Sequence, residues 1–149
     1  MSVPKARILV VDDDESVRKS ISTALNGAGY MVETAENGKE AIEKSNANFY
    51  NLILVDIRLP DMEGTELLTA IKETTPKMIK IILTGYPSLQ NAVEAVNKGA
   101  DGYKIKPVDA EELLKTIKEH LRKQQEARRY SEEKVREFVE TRAKELGTE

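Results

Sequence analysis

The 149-residue chain contains no cysteine, which excludes disulfides, thiolate metal sites and thiol catalysis. It has a single histidine, so zinc or iron centres built from several imidazoles are excluded as well. Neither sign of charge dominates. The 23 basic residues face 26 acidic ones, for a formal charge of −3, and no basic field is available to hold nucleic acid non-specifically. Long apolar runs are also missing: Ile8–Val11 is far shorter than a signal-peptide core or a membrane span and ends at Asp12. What remains is 40% apolar residues, enough for one continuous core and not for two, in a chain expected to be soluble and cytoplasmic.

Five short β-branched runs recur, at Arg7–Val11, Met31–Ala35, Leu52–Asp56, Lys80–Thr84 and Gly102–Ile105. Three of them (ILVV, LILV, IIL) are continuous rather than alternating, the mark of strands buried on both faces, as in a parallel sheet. Between them lie helix-period segments: Val17, Ile21, Leu25 and Ala28; Ala41 with Ile42; Leu67, Leu68 and Ile71; and Leu89, Ala92, Val93 and Val96. Each set is expected to face the sheet. Gly27 and Gly29, Asn46 and Asn48, and Gly99 are placed as helix stops. The last helix carries a start signal in Asp109 and Glu112, with Val108 and Leu113 placed for a hydrophobic staple. This β–α alternation predicts a doubly wound α/β fold, with helices on both faces of a five-stranded parallel sheet.

In such a sheet chemistry collects outside the carboxyl ends of the strands. Those ends carry Asp12 and Asp13, then Asp56, then Thr84, then Lys106. A lone strand-end aspartate is usually a helix cap, but three carboxylates, a hydroxyl and an ammonium at one edge are not explained by capping. Two carboxylates about 5 Å apart repel by roughly 3 kcal/mol at an effective dielectric of 20. A hard divalent cation, most naturally Mg2+, removes that cost while keeping coordination sites for substrate oxygens. With an ammonium and a hydroxyl beside it, the set describes a phosphoryl-transfer site with a carboxylate nucleophile.

The segments ILVVDDDES, LILVDIRLPDMEG, IILTG and GADGYKIKP resemble, in order and spacing, the motif blocks of response-regulator receiver domains, from about Ala6 to Arg122. The resemblance implies a flavodoxin-like strand order 2-1-3-4-5. It implies that Asp56 accepts a phosphoryl group from a histidine kinase. Asp12 and Asp13 would hold Mg2+, with Asp13 a direct ligand joined by Asp56 and the backbone carbonyl of Arg58. Lys106 would pair with the phosphoryl oxygens, and Thr84 and Tyr103 would form the switch pair that alters the helix 4, strand 5 and helix 5 surface. Arg58 and Tyr86 occupy positions that modulate dephosphorylation in the family, and surface packing accounts for them equally well. The resemblance also implies a cis Lys106–Pro107 bond. By this reading the chain is a signalling receiver rather than an enzyme, with a downstream effector protein or output domain as its further partner.

Other residues have plainer readings. Asp14 and Glu15 are expected to cap or lead the first helix, Gly64 to serve a turn, and His120 to stand as a solvated helical histidine. A rival reading is a haloacid-dehalogenase-type phosphatase with Asp12 as nucleophile, resting on Asp12-x-Asp14, Thr84 and Lys106. It leaves Asp56 unexplained, and the aspartate that becomes phosphorylated separates the two. A DNA-binding regulator is a poor fit, because roughly 27 charge-balanced residues after the receiver cannot hold a helix-turn-helix domain.

The chain divides into a receiver over 1–124 and a charged helical extension over 125–149. From Arg122 to Glu149 there are eight basic and seven acidic residues and no glycine or proline before Gly147. Helix 5 is therefore expected to run on well past the domain. A heptad frame through Leu114, Ile117 and Leu121 next meets Gln124, Arg128 and Ser131, which does not support a continuous coiled coil. The extension reads either as a solvated helix or as a signal-carrying one whose stripe of Val135, Phe138, Val139 and Leu146 packs on a second copy, giving a weak homodimer, or on a partner. The sequence is equally compatible with a stand-alone receiver and one cut from a longer protein.

Overall fold

The computed structural model describes residues 5–147. The outer ends of the expected division, residues 1–4 and 148–149, lie outside the described residues. Ten elements alternate along the chain: β1 (Arg7–Val11), α1 (Glu15–Gly27), β2 (Met31–Ala35), α2 (Gly38–Ala47), β3 (Leu52–Asp56), α3 (Gly64–Ala70), β4 (Ile79–Thr84), α4 (Leu89–Asn97), β5 (Gly102–Ile105) and α5 (Ala110–Glu145). The strands form one sheet in the order β2-β1-β3-β4-β5, and every pairing is parallel. This is the doubly wound, flavodoxin-like arrangement, with the order reversing between β1 and β3. Among the described residues no helix is long and apolar enough to cross a membrane.

The pleat of each strand divides the core into two layers. Leu9, Val11, Ile53, Val55 and Ile82 point to one face, where they meet Ala41 of α2, Leu67 and Leu68 of α3 and Ala95 of α4. Ile8, Val10, Leu52, Leu54, Ile81 and Leu83 point to the other, against Ile21 and Leu25 of α1 and Leu113 and Ile117 of α5. All five residues of β3 are buried, which is why its sequence shows no alternation.

Three details differ from the sequence reading. β4 starts at Ile79, one residue early, and Lys80 is buried at 5% exposure inside it. Its aliphatic stem crosses the core and its ammonium donates to the Leu68 carbonyl near the C-terminal end of α3 at 2.7 Å. Ala28 is the exposed cap residue after α1 rather than part of its buried face. The third is larger. Leu89, Val93 and Val96 of α4 are exposed at 83%, 50% and 66%, while Ala95, about a third of a turn away, is fully buried. The small alanine rests on the neighbouring layer, and the larger apolar stripe faces outward; Ile105 of β5 is likewise 55% exposed.

The 36-residue α5 begins as read. The Asp109 carboxylate accepts from the Glu112 amide at 3.4 Å, and Val108 and Leu113 share one cluster. Glu112 does not return the bond; its side chain pairs with Lys104 at 3.1 Å. Where α5 leaves the domain, Gln124 closes over the N-terminal edge of the sheet. Its Nε2 donates to the carbonyls of Asn51 at 3.0 Å and Lys77 at 2.8 Å, and its Oε1 accepts from Asn51 Nδ2 at 3.1 Å. Asn51 in turn receives the Arg7 amide on its Oδ1. The residue that breaks the heptad is the one that clamps the helix to β1, β3 and the α3–β4 loop. Gln124→Ala should lower unfolding free energy by about 1–3 kcal/mol, because it strips bonds from partly buried polar groups. A denaturation midpoint equal to wild type would show that the clamp contributes nothing.

Candidate functional site

A parallel sheet delivers every strand's carboxyl end to one edge, and the five sequence-marked residues meet there. Asp12 follows β1, its amide bonded to the Ala35 carbonyl of β2 at 3.1 Å, and it is 2% exposed. Asp56 ends β3 at 8% exposure, and Thr84 ends β4 fully buried. Asp13 projects to the exposed side. One carboxylate oxygen from each of Asp12, Asp13 and Asp56 lies within 4.8 Å of the others, a group that could hold a metal ion. All donors are hard oxygens, which suits a divalent cation of the Mg2+ or Ca2+ kind.

Lys106, just beyond β5, reaches back over the cluster, and the Lys106–Pro107 bond that follows it is cis. Its Nζ lies 2.5 Å from Asp12 Oδ2 and 3.2 Å from Asp56 Oδ2. Burial raises the Asp56 pKa above its ordinary value; Lys106 opposes that rise and Asp12 adds to it. For Lys106 burial works downward, but the Asp12 and Asp56 carboxylates outweigh it and the net direction is upward.

The surrounding side chains have definite positions. Asp14 caps α1, accepting from the Ser16 and Val17 amides at 2.8 and 3.2 Å, so its carboxylate is occupied away from the cluster. Thr84 Oγ1 accepts from the Tyr86 amide at 2.9 Å. Tyr103 is half-buried, and its hydroxyl donates to Asn91 Oδ1. The Arg58 guanidinium stacks on the Tyr86 ring, 4.1 Å from the centroid, so these two exposed residues form a cation–π pair beside the cluster. His120 is half-buried rather than solvated: its Nε2 lies 3.8 Å from where a Cβ on Gly102 would stand, over the start of β5.

One contributor escaped the sequence reading and another acts for a different reason. Gly64 is needed for close approach rather than for a turn. A Cβ there would fall 2.1 Å from the Asp56 carbonyl oxygen, and its amide donates to the Ile57 carbonyl at 2.6 Å. Asp61 accepts from the Gly38 and Lys39 amides, both at 2.9 Å, and ties the loop after Asp56 to the N-terminus of α2. Neither signal exists in one dimension, since both depend on which backbone arrives from elsewhere.

The fold and these residues define a doubly wound domain whose acidic cluster, lysine and buried threonine gather at the carboxyl edge of the sheet. The model of the response regulator receiver domain matches residues 8–118, and the chain belongs to that family. It is 43% identical over 121 residues to the transcriptional regulatory protein ZraR of Klebsiella oxytoca, an alignment covering 81% of this chain and 27% of that protein. The chain therefore spans about a quarter of the length of that regulator. Among solved structures, it matches a CheY-like receiver domain protein from Methanospirillum hungatei JF-1 with a TM-score of 0.80 at 47% identity, covering 83% of this chain and 99% of that one. It matches the beryllofluoride-activated NtrC4 receiver domain dimer with a TM-score of 0.74 at 38% identity, over 79% of this chain and 98% of that one.

The raised Asp56 pKa has a signed consequence. The native state holds a proton at Asp56 that the unfolded chain releases at lower pH, so stability falls as pH rises from the ordinary carboxylate value through the raised one. Metal-free Asp56→Asn should therefore melt a few degrees above wild type at pH 7, with a gain that shrinks on acidification toward pH 4. Calorimetry showing no gain at pH 7, or a gain that grows on acidification, contradicts this.

Proposed function

We propose that this chain is the phosphoacceptor of a two-component phosphorelay, with Asp56 taking a phosphoryl group from a histidine kinase. The observation that carries the reading is the buried Asp56 carboxylate, in contact with Lys106 and within 4.8 Å of the Asp12 and Asp13 oxygens. A carboxylate oxygen of Asp56 attacks the phosphorus of a phosphohistidine. The O–P bond forms as the N–P bond breaks, and the imidazole leaves with the bonding pair. Lys106 exchanges part of its contact with Asp12 and Asp56 for an incoming phosphoryl oxygen. Asp12, Asp13, Asp56 and the backbone carbonyl of Arg58 would hold Mg2+, which when bound neutralises the crowded carboxylates and the transferred oxygens. The Arg58–Tyr86 stack lies beside the path of water to the acyl phosphate and slows its hydrolysis.

Thr84 is the first reader of the new group. Its oxygen already accepts the Tyr86 amide, so its hydroxyl proton is available to a phosphoryl oxygen. Its movement alters the space around Tyr103 and shifts the population of the α4–β5–α5 surface. The exposed Leu89, Val93, Val96 and Ile105 suit that surface to docking an effector protein or output domain. The domain proper runs over 1–124 and ends at the Gln124 clamp, with 125–149 as its helical extension. Its only chemistry is its own phosphorylation and dephosphorylation, so it is a signalling receiver rather than an enzyme. It works in the cytoplasm without contacting DNA directly. The phosphatase alternative gains no support, because its second carboxylate, Asp14, serves as the α1 cap.

Incubation with Mg2+ and a small-molecule phosphodonor should add one phosphoryl group to wild type by intact mass, none to Asp56→Asn, and none when the divalent ion is chelated. A label that survives in Asp56→Asn and disappears in Asp12→Asn would establish the phosphatase reading instead.

The extension supports a second interaction. Val135, Phe138, Val139 and Leu146 are 58–67% exposed along one side of α5, and Val135 also borders a groove of about 970 Å³ with Phe49, Pro76 and Ala127. We assign the stripe to a weak homodimer. Val135→Glu with Phe138→Glu should raise the sedimentation dissociation constant at least tenfold while Asp56 phosphorylation is unchanged. A wild-type chain that stays monomeric at high concentration, phosphorylated or not, overturns the assignment.

A further inference from the structure

Between the two ends of the switch lies a side chain that the sequence reading did not single out. Asn91 sits half-buried at the third position of α4. Its Oδ1 accepts from the Tyr103 hydroxyl and from the Ser88 amide at 3.3 Å, and its Nδ2 donates to the Tyr86 carbonyl at 2.9 Å. Its own amide donates to Ser88 Oγ at 3.1 Å, completing a reciprocal cap at the start of the helix. The Tyr86 backbone is thus gripped on both sides, its amide by Thr84 Oγ1 and its carbonyl by Asn91.

The residue type is informative. A carboxylate at this position would complete the same cap and would also favour the positive end of the helix dipole. The first turn of α4 nevertheless contains no acidic residue. What asparagine offers and a carboxylate cannot is the N–H that holds the Tyr86 carbonyl. Three hydrogen bonds from one amide then join β4, through its following loop, to the N-terminus of α4 and to the ring of β5.

We propose that Asn91 is a positioning residue that latches the Thr84–Tyr86 loop and the Tyr103 hydroxyl in the arrangement described here, setting how readily the switch leaves it. This rests on the reading of Asp56 and Thr84 given above. The bonds Asn91 makes to the Tyr86 carbonyl and the Tyr103 hydroxyl stabilise this arrangement against one in which Thr84 has turned toward a group on Asp56. A ligand that favours the second must overcome those bonds, and the population it reaches at a given concentration depends on them.

The test uses the full chain with saturating Mg2+ and beryllofluoride as the phosphoryl mimic, followed by NMR of the Tyr103 ring and of the α4 amides. Asn91→Ala should need about three- to tenfold less beryllofluoride for half-conversion than wild type, the factor that one net hydrogen bond corresponds to. Asn91→Asp retains the cap and the acceptor for Tyr103 but cannot donate to Tyr86. It should therefore also lower the requirement, with the α4 amides still protected from exchange, which separates latching from mere fraying of the helix. A requirement that is unchanged or higher in both variants overturns the proposal. Thr84→Ala is the control for the underlying reading. If Tyr103 still responds fully in Thr84→Ala, the switch reading fails whatever Asn91 does. If that response is lost while both Asn91 variants behave as wild type, the latch alone fails.

Discussion

The contact between Lys106 and the carboxylates of Asp12 and Asp56 is the constraint around which the rest of the domain is organised. Two aspartates at 2% and 8% exposure are costly neighbours, since burial removes the water that would otherwise stabilise their charge. A single ammonium bridges them, reaching Asp12 at 2.5 Å and Asp56 at 3.2 Å. One positive charge does not neutralise two buried negative ones and the exposed Asp13 beside them. The cluster therefore stays electron-rich and under-compensated, which suits it both to a cation and to a nucleophile. Burial is the main cause of the raised pKa of Asp56, with Lys106 opposing the rise and Asp12 adding to it.

Holding that arrangement in place is the business of backbone rather than side chains. Parallel pairing sets Val11 beside Val55, Asp56 beside Leu83 and Thr84 beside Ile105, so each functional group at or just after these positions inherits its place from the ladder. The loop after Asp56 is then fixed from two directions, by the Gly64 amide on Ile57 and by Asp61 on the N-terminus of α2. A loop bound in this way cannot relax away from its charges. That lets the domain keep a strained electrostatic group without losing its geometry, and it explains why Gly64 tolerates no Cβ beside the Asp56 carbonyl.

The elements were legible where the sequence pattern records burial on both faces. The runs ILVV and LILV became β1 and β3 with the expected bounds, because a strand covered on both sides has no other way to be written. The five site residues were legible for a related reason: strand ends in a doubly wound sheet share an edge, so one-dimensional position implies three-dimensional proximity. Where that implication fails, the reading failed. Leu89, Val93 and Val96 have helical spacing, but spacing says only that they share a face and not which way the face turns; Ala95 decides that by being small enough to sit on the layer beneath. Gly64, Asp61 and Asn91 act through groups whose approach depends on the folded chain, so the sequence does not show what each one does.

The two edges of the sheet divide the labour. The carboxyl edge collects Asp12, Asp13, Asp56, Thr84 and Lys106, whereas the amino edge is closed by Asn51 and Gln124. α5 runs from one to the other: it starts at Ala110, capped by Asp109 three residues after Lys106, and passes the Gln124 clamp before continuing to Glu145. At 1.5 Å per residue its 36 residues extend about 54 Å, of which less than half is fastened to the core through Leu113, Ile117 and Gln124. Beyond the clamp, α5 carries Val135, Phe138 and Val139 outward on one side, each more than half exposed. The polar residue that interrupts the heptad is thus what fastens the helix where it leaves the domain, and the exposed apolar stripe lies wholly past that point.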